Sequence, residues 1–404
     1  MGSNQDGRKS KDLDRVSQDV VTSDVYDAIV IGAGPAGLAT SRELTRHGVA
    51  HLVLEKGPSV GHTWDNLYDG LVLHTGKHLS SLPGLRFPRS TPLFPTRRDF
   101  VDYLRHYTSR FRLPVRTNAE VVEARRERDI WSVAIATGDT IRAHAIILAT
   151  GIVSNPSVAD IPHREMFRGR MFHSVEYRRP DGYRDCRVLI VGAGNSAAEI
   201  AAELARAGAR VTVAVRTGAR VVPLLLFGIP IQYVAATLSW LPRRVQRRIA
   251  DLIGNVSGLV RGPAVLPAPV DSDCPDVPLI GFHLADAIRA GVVRIKPGIR
   301  EFTAEGARFV DGSEAAFDEI MLATGYRAAV GILGDLVGVD ECGFARRRSR
   351  VVSEDQPNLY LVGHNYDVRG GLRNIAIDAR ATANLVADQL ASSFKSTPNR
   401  SAIR

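Results

Sequence analysis

The chain has 404 residues, 45% of them hydrophobic and 24% charged. Those fractions exclude wholesale disorder, and the length allows two or three domains with a substantial core. Lys and Arg total 52 against 43 Asp and Glu, a formal charge of +9, and only six of the cations are lysines. Arginine's fixed fork suits carboxylates and phosphates, though scattered arginine also reads as a habit of composition. The three cysteines (Cys186, Cys274, Cys342) lie far apart with no CxxC. That excludes a disulfide scaffold, a zinc ribbon and a CxxC dithiol centre, and no metal site is expected.

Residues 1–24 are polar, with Arg8, Lys9, Lys11 and Arg15 set against Asp6, Asp12, Asp14, Asp19 and Asp24. They lack the apolar core of a signal peptide and read as the flexible tail of a cytoplasmic protein. Their balanced charge makes a poor nucleic-acid arm, and no RNP-type aromatic pattern or basic stripe follows. Tyr26 to Ile31 is an apolar run of strand type. It leads into Gly32-Ala33-Gly34-Pro35-Ala36-Gly37, then a helical stretch to Gly48 and a second strand, His51 to Leu54, ending at Glu55. This is the complete dinucleotide fingerprint: one glycine for the turn, one for approach to a pyrophosphate, one for helix packing, and an acid for ribose hydroxyls. The helix N-terminus offers its free N–H groups to the phosphates.

The next strands and turns repeat this plan. Ala145 to Gly151 is an apolar strand ending in Ala-Thr-Gly. Arg187 to Val191 is a strand followed by Gly192-Ala193-Gly194-Asn195-Ser196-Ala197, a helix to Gly208, and a strand from Val211 to Val215. Arg216 then stands 24 residues after Gly192, close to the 23 that separate Glu55 from Gly32. A carboxylate there would repel a 2′-phosphate, whereas arginine pairs with it. The first unit is therefore expected to hold a nucleotide with free ribose hydroxyls, and the second to prefer NADPH. Val221 to Pro242 carries no charge and precedes Arg243 to Arg248. Its prolines and glycine favour a buried or substrate-facing excursion over a membrane span, with shallow contact to lipid phosphates as the alternative. Glu319 to Gly325 is a second strand ending in Ala-Thr-Gly, including Thr324 and Gly325. A strand at Asn358 to Val362 and a helix at Ile377 to Leu390 return the chain to its first unit.

The fold class is α/β, with two Rossmann-like domains, the second inserted into the first. The first, FAD-binding domain is expected over 25–180 and again over 326–391. The NADPH-binding domain is expected over 181–325 with an excursion at 220–262, and a second flexible tail over 392–404.

Phe167-x-Gly169-x-x-x-His173-x-x-x-Tyr177 matches the FxGxxxHxxxY/F motif of flavin-containing monooxygenases. The chain resembles that class B family, and within it the YUCCA-like branch. The similar stretches are Leu71 to Pro83, Glu176 to Ile200 and Ile295 to Arg327. Plant members of the branch convert indole-3-pyruvate to indole-3-acetate. The resemblance implies that NADPH reduces FAD and that the reduced flavin takes up O2 as a C4a-(hydro)peroxyflavin. Attack of that species on a 2-oxo acid, with loss of CO2, gives the shortened acid. Tyr177-Arg178 departs from the Baeyer–Villiger signature, and His74-Thr75 stands near an asparagine of the animal enzymes. N- or S-oxygenation, ketone oxygenation and simple electron transfer to an acceptor are the alternatives. The resemblance implies catalytic roles for His74 and Asn195. It adds Lys56, Thr63, Trp64 and Thr75 to Glu55 and the first glycine turn as FAD contacts. It adds Ser196, Thr324 and Gly325 to Gly192, Gly194, Asn195 and Arg216 on the NADPH side. Asn195 and Ser196 also suit helix capping, Trp64 core packing and Arg97 the surface, while His173 is expected to order the linker.

Overall fold

The computed structural model describes residues 25–238, 240–242, 244–246, 248–249, 252, 262–268, 278–365 and 370–396. The tail expected over 1–24, the end of the other tail and much of the excursion lie outside the described residues.

The first sheet contains β1 (Tyr26–Ile31), β2 (His51–Leu54), β3 (Val115–Arg116), β4 (Val121–Glu127), β5 (Ile130–Ile135) and β6 (Thr140–Leu148). They lie in the order β3-β2-β1-β6-β5-β4, and β19 (Leu359–Leu361) also pairs with β6. β1, β2, β3 and β19 run parallel with their partners, whereas β4, β5 and β6 form an antiparallel meander. Ala28 to Ile31 are buried, as a strand covered on both faces requires. Helix α1 (Pro35–Arg46) begins with proline at its first position, where a missing N–H costs nothing. Two four-residue helices follow, α2 (His62–Asp65) and α3 (Lys77–Ser80). Helix α4 (Arg97–Phe111) starts at a reciprocal cap between Thr96 and Asp99. Its Phe100, Tyr103, Leu104 and Tyr107 recur at three- and four-residue spacing and are buried.

The second sheet has the order β14-β9-β8-β18-β7 and is parallel throughout. Its members are β7 (Arg170–His173), β8 (Arg187–Val191), β9 (Arg210–Val215), β14 (Val293–Pro297) and β18 (Glu319–Leu322). Helix α5 (Asn195–Arg206) joins β8 to β9. The excursion opens with β10 (Val221–Val222), then a small hairpin of β11 (Leu225–Leu226) and β12 (Ile229–Pro230), then helix α6 (Ile231–Thr237). It closes where β13 (Leu279–Ile280) pairs with β10, and helix α7 (His283–Arg289) follows. A third, antiparallel sheet holds β15 (Ile299–Phe302), β16 (Gly306–Phe309) and β17 (Glu314–Ala316). Helix α8 (Gly371–Ser396) packs along α1 and completes the outer unit.

The insertion expected from sequence is therefore the architecture, with three boundaries corrected. β7 pairs with β18, so the inner unit begins before 170 and not at 181. The excursion returns at β13, beyond residue 262. α8 runs to Ser396, so the tail does not begin at 392. Among the described residues no helix is long and apolar enough to cross a membrane.

Candidate active site

The two glycine turns are built alike. Gly32 has φ +104°, and a Cβ there would lie 2.7 Å from the Ala149 carbonyl oxygen. Gly192 has φ +112°, and a Cβ there would lie 2.5 Å from the Ala323 carbonyl oxygen. Each Ala-Thr-Gly strand end thus presses on the glycine turn of its own unit, and only glycine tolerates both the conformation and the approach. Gly34 and Gly194 differ: a Cβ at either would meet nothing within 4 Å. The space in front of both turns is open where a pyrophosphate would lie against the helix N-terminus. Pro35 and Ala36 open α1, and Ala33 is fully buried behind the turn.

Glu55 closes the first turn. Its Oε2 accepts from the Ala33 N–H at 2.7 Å and its Oε1 from the Gly57 N–H at 2.9 Å. Each oxygen keeps a lone-pair site for a ribose hydroxyl. The outer unit adds two approaches. Gly363, just past β19, lies so that a Cβ would be 3.1 Å from Ala36 Cβ. A Cβ at Gly370 would be 2.7 Å from Thr75 Cγ2, so α8 begins beside Thr75. The first turn, Glu55, Thr75 and the start of α8 therefore belong to one face that could hold FAD. Lys56 is exposed, and Thr63 is half-buried. Trp64 packs edge-on against Phe100 with ring centroids 4.6 Å apart, at the margin of the first core.

On the inner unit, Arg216 is exposed at the end of β9 and forms no ion pair among the described residues. Its guanidinium is available to a 2′-phosphate. Ser196 is half-buried in the first turn of α5. The Asn195 amide is bonded to backbone on both sides. Its Nδ2 donates to the Pro278 carbonyl at 3.1 Å, and its Oδ1 accepts from the Ile280 N–H at 2.9 Å. The amide is occupied in holding β13, where the excursion returns. Neither it nor Ser196 caps α5, since no side-chain cap is formed there. Thr324 donates its hydroxyl proton to the Ser157 carbonyl. The Gly325 carbonyl accepts from the Ser157 N–H at 2.9 Å and pairs with His173 Nε2 at 3.2 Å. His173 Nδ1 accepts from the Val175 N–H, so the ring carries its proton on Nε2, and burial pulls its pKa down. His173 thus orders the linker beside the second Ala-Thr-Gly turn. Gly169 is required by crowding: a Cβ would fall 2.6 Å from the Asp318 carbonyl.

His74 lies between the units. Its Nε2 pairs with Glu199 Oε1 on α5, and the Tyr68 hydroxyl donates to Glu199 Oε2. One turn further along α5, Glu203 Oε2 accepts from the Tyr177 hydroxyl at 2.8 Å. Both phenols are buried, and their pKa values rise, first through burial and then through the neighbouring carboxylates. These groups border a cavity of about 370 Å³ lined by Tyr68, Val72, His74, Glu199, Glu203 and Arg206, among others. Arg97 is committed elsewhere. It bonds the Asp65 carbonyl and pairs with Asp69 at 3.0 Å, while Arg178 also reaches the Asp65 carbonyl. Arg178, on the segment that follows β7, thus grips the Asp65–Asp69 stretch that Arg97 holds from α4. Sequence reasoning missed Tyr68, Glu199 and Glu203. The four-residue spacing of Asn195, Glu199 and Glu203 on one helix was the available signal, since it aligns them on one face.

The family described as "Pyridine nucleotide-disulphide oxidoreductase" matches residues 29–222. Indole-3-pyruvate monooxygenase YUCCA1 of Oryza sativa subsp. japonica is 35% identical over 316 residues, covering 76% of this chain and 78% of the relative. The probable indole-3-pyruvate monooxygenase YUCCA1 of Arabidopsis thaliana is 34% identical over 380 residues, covering 90% of each. A flavin-containing monooxygenase from Stenotrophomonas maltophilia superimposes with a TM-score of 0.72 at 25% identity, over 91% of this chain and 99% of that one. Cyclohexanone monooxygenase from Rhodococcus sp. Phi1 shares the fold at 20% identity and a TM-score of 0.67, over 92% and 85% of the two chains. With two open glycine turns, the identifying motif and relatives matched over 78% and 90% of their length, the chain belongs to the YUCCA-like class B flavin-containing monooxygenases, enzymes that use FAD and NADPH.

Proposed function

We propose that the enzyme oxidatively decarboxylates a 2-oxo acid of the indole-3-pyruvate kind. The outer unit holds FAD and the inner unit holds NADPH. In balanced form, the 2-oxo acid, O2, NADPH and a proton give the acid shortened by one carbon, CO2, NADP+ and water. The observation that carries this reading is His74, held at the junction of the two units in a chain whose relatives bear that activity in their names.

Bound FAD would supply the two-electron exchange with NADPH and the activation of O2. The chain's own residues bind, orient and exclude water. The first turn and Glu55 seat the FAD pyrophosphate and ribose, and the start of α8 beside Thr75 offers N–H groups to the flavin end. The second turn and Arg216 seat NADPH. The buried Tyr68 and Tyr177 remain protonated, so their hydroxyls donate to Glu199 and Glu203 and keep water from the junction.

The test is product analysis under ¹⁸O2 with indole-3-pyruvate and NADPH. The expected result is indole-3-acetate carrying one labelled oxygen, with CO2 unlabelled. NADPH consumption without labelled acid would reject the substrate class. For the nucleotide, Arg216→Ala is expected to raise the NADPH KM about tenfold, the equivalent of about 1.4 kcal/mol, and to leave the NADH KM unchanged. Equal effects on both KM values would contradict the role given to Arg216.

A further inference from the structure

His74 and Glu199 are 125 residues apart in the chain and belong to different units. Glu199 accepts at both oxygens, from the Tyr68 hydroxyl and from His74. An ionised carboxylate has no proton to give, so the shared proton resides on His74 Nε2. No hydrogen bond reaches Nδ1 among the described residues, so in the neutral Nε2–H tautomer its lone pair stays open. The other charged groups at this cavity are otherwise arranged. Glu203 is engaged by Tyr177, and Arg206 donates its Nε–H to the Ala202 carbonyl at 3.1 Å. His283 also borders the cavity, from α7.

We propose that Glu199 is a positioning residue: it fixes the His74 imidazole as the Nε2–H tautomer, with Nδ1 as a hydrogen-bond acceptor at the junction of the units. This rests on the placement of the flavin and nicotinamide nucleotides given above, and not on the identity of the substrate. A carboxylate left 18% exposed carries a desolvation cost that packing alone does not require. Its two oxygens gather two residues of one connecting stretch, Tyr68 and His74. The same contact joins that loop to the helix that opens at the second glycine turn.

The test uses FAD-loaded full-length enzyme, with proton NMR of the histidine rings and peroxide released per NADPH consumed without added substrate. The parent is expected to show a downfield, exchange-protected imidazole N–H that disappears in His74→Gln. Glu199→Leu is expected to lose that signal and to raise the peroxide yield about fivefold, as loss of one positioning hydrogen bond would. Glu199→Gln keeps a carbonyl for Nε2–H, so it should retain the signal and stay within about twofold of the parent yield. A parent spectrum with no such His74 proton would overturn the proposal without recourse to any Glu199 variant. So would a Glu199→Leu enzyme with the parent's peroxide yield. Because no substrate enters, failure here is separate from failure to form indole-3-acetate.

Discussion

Gly34 and Gly194 separate binding from folding at the level of single atoms. Gly34 has an ordinary φ of −79°, and an added methyl meets only open space. Gly34→Ala should therefore keep the apoprotein's stability within about 0.5 kcal/mol while FAD affinity falls at least about tenfold. Flavin fluorescence titration, beside a urea melt, checks both. By contrast a Cβ at Gly37 would lie 1.8 Å from the Gly32 carbonyl oxygen, so Gly37→Ala should damage the fold itself. His364 behaves differently. It is 2% exposed, and among the described residues neither ring nitrogen has a hydrogen-bond partner. Burial, helped by Arg347, pulls its pKa down to about 4 from 6.5. The unfolded chain takes the proton first as pH falls, so this contribution is whole above about pH 6.5 and is lost on the way to pH 4. The loss is on the order of 3 kcal/mol. Urea midpoints across that range should fall less steeply for His364→Leu than for the parent, and equal slopes would contradict the assignment. The glycines were legible in sequence because a turn demands them locally. His364 was not, since its burial depends on segments distant in the chain.

Helix α5 shows what an element adds to its residues. The resemblance gave Asn195 a catalytic role, and in the fold its amide spans the Pro278 carbonyl and the Ile280 N–H. Asn195→Ala should lower stability by about 1–2 kcal/mol in urea melts, as two lost hydrogen bonds imply, through release of β13. An unchanged midpoint would return Asn195 to the cofactor. α8 was expected only from Ile377, because its first turn carries no capping signal and holds Gly371 and Asn374. Asn374 is fully buried and bonded to Arg350, so its polarity hid a core-facing turn. The strands were easier to read. Ala-Thr-Gly at the ends of β6 and β18 marked the same position in both units, and the structure sets each against its glycine turn.

At the scale of the molecule, sequence order concealed the junction. The two units were legible, and so was the insertion, because each carries its own fingerprint and closing strand. The contacts between them were not. Tyr68 and His74 reach Glu199 across 131 and 125 residues, and no local pattern announces such a pair. On the proposed placement of the nucleotides, the junction is where electrons from one meet oxygen activated at the other, and there the chain has buried phenols, the His74 imidazole and a cavity. The most direct measurement is rapid mixing. The flavin is reduced anaerobically with NADPH, O2 is added without substrate, and absorbance is followed. The account predicts rapid reduction, then a lasting spectrum distinct from both reduced and oxidised flavin, which decays faster when a 2-oxo acid is present. Immediate return to oxidised flavin with stoichiometric peroxide, unaltered by any 2-oxo acid, would contradict it and leave an electron-transfer reductase.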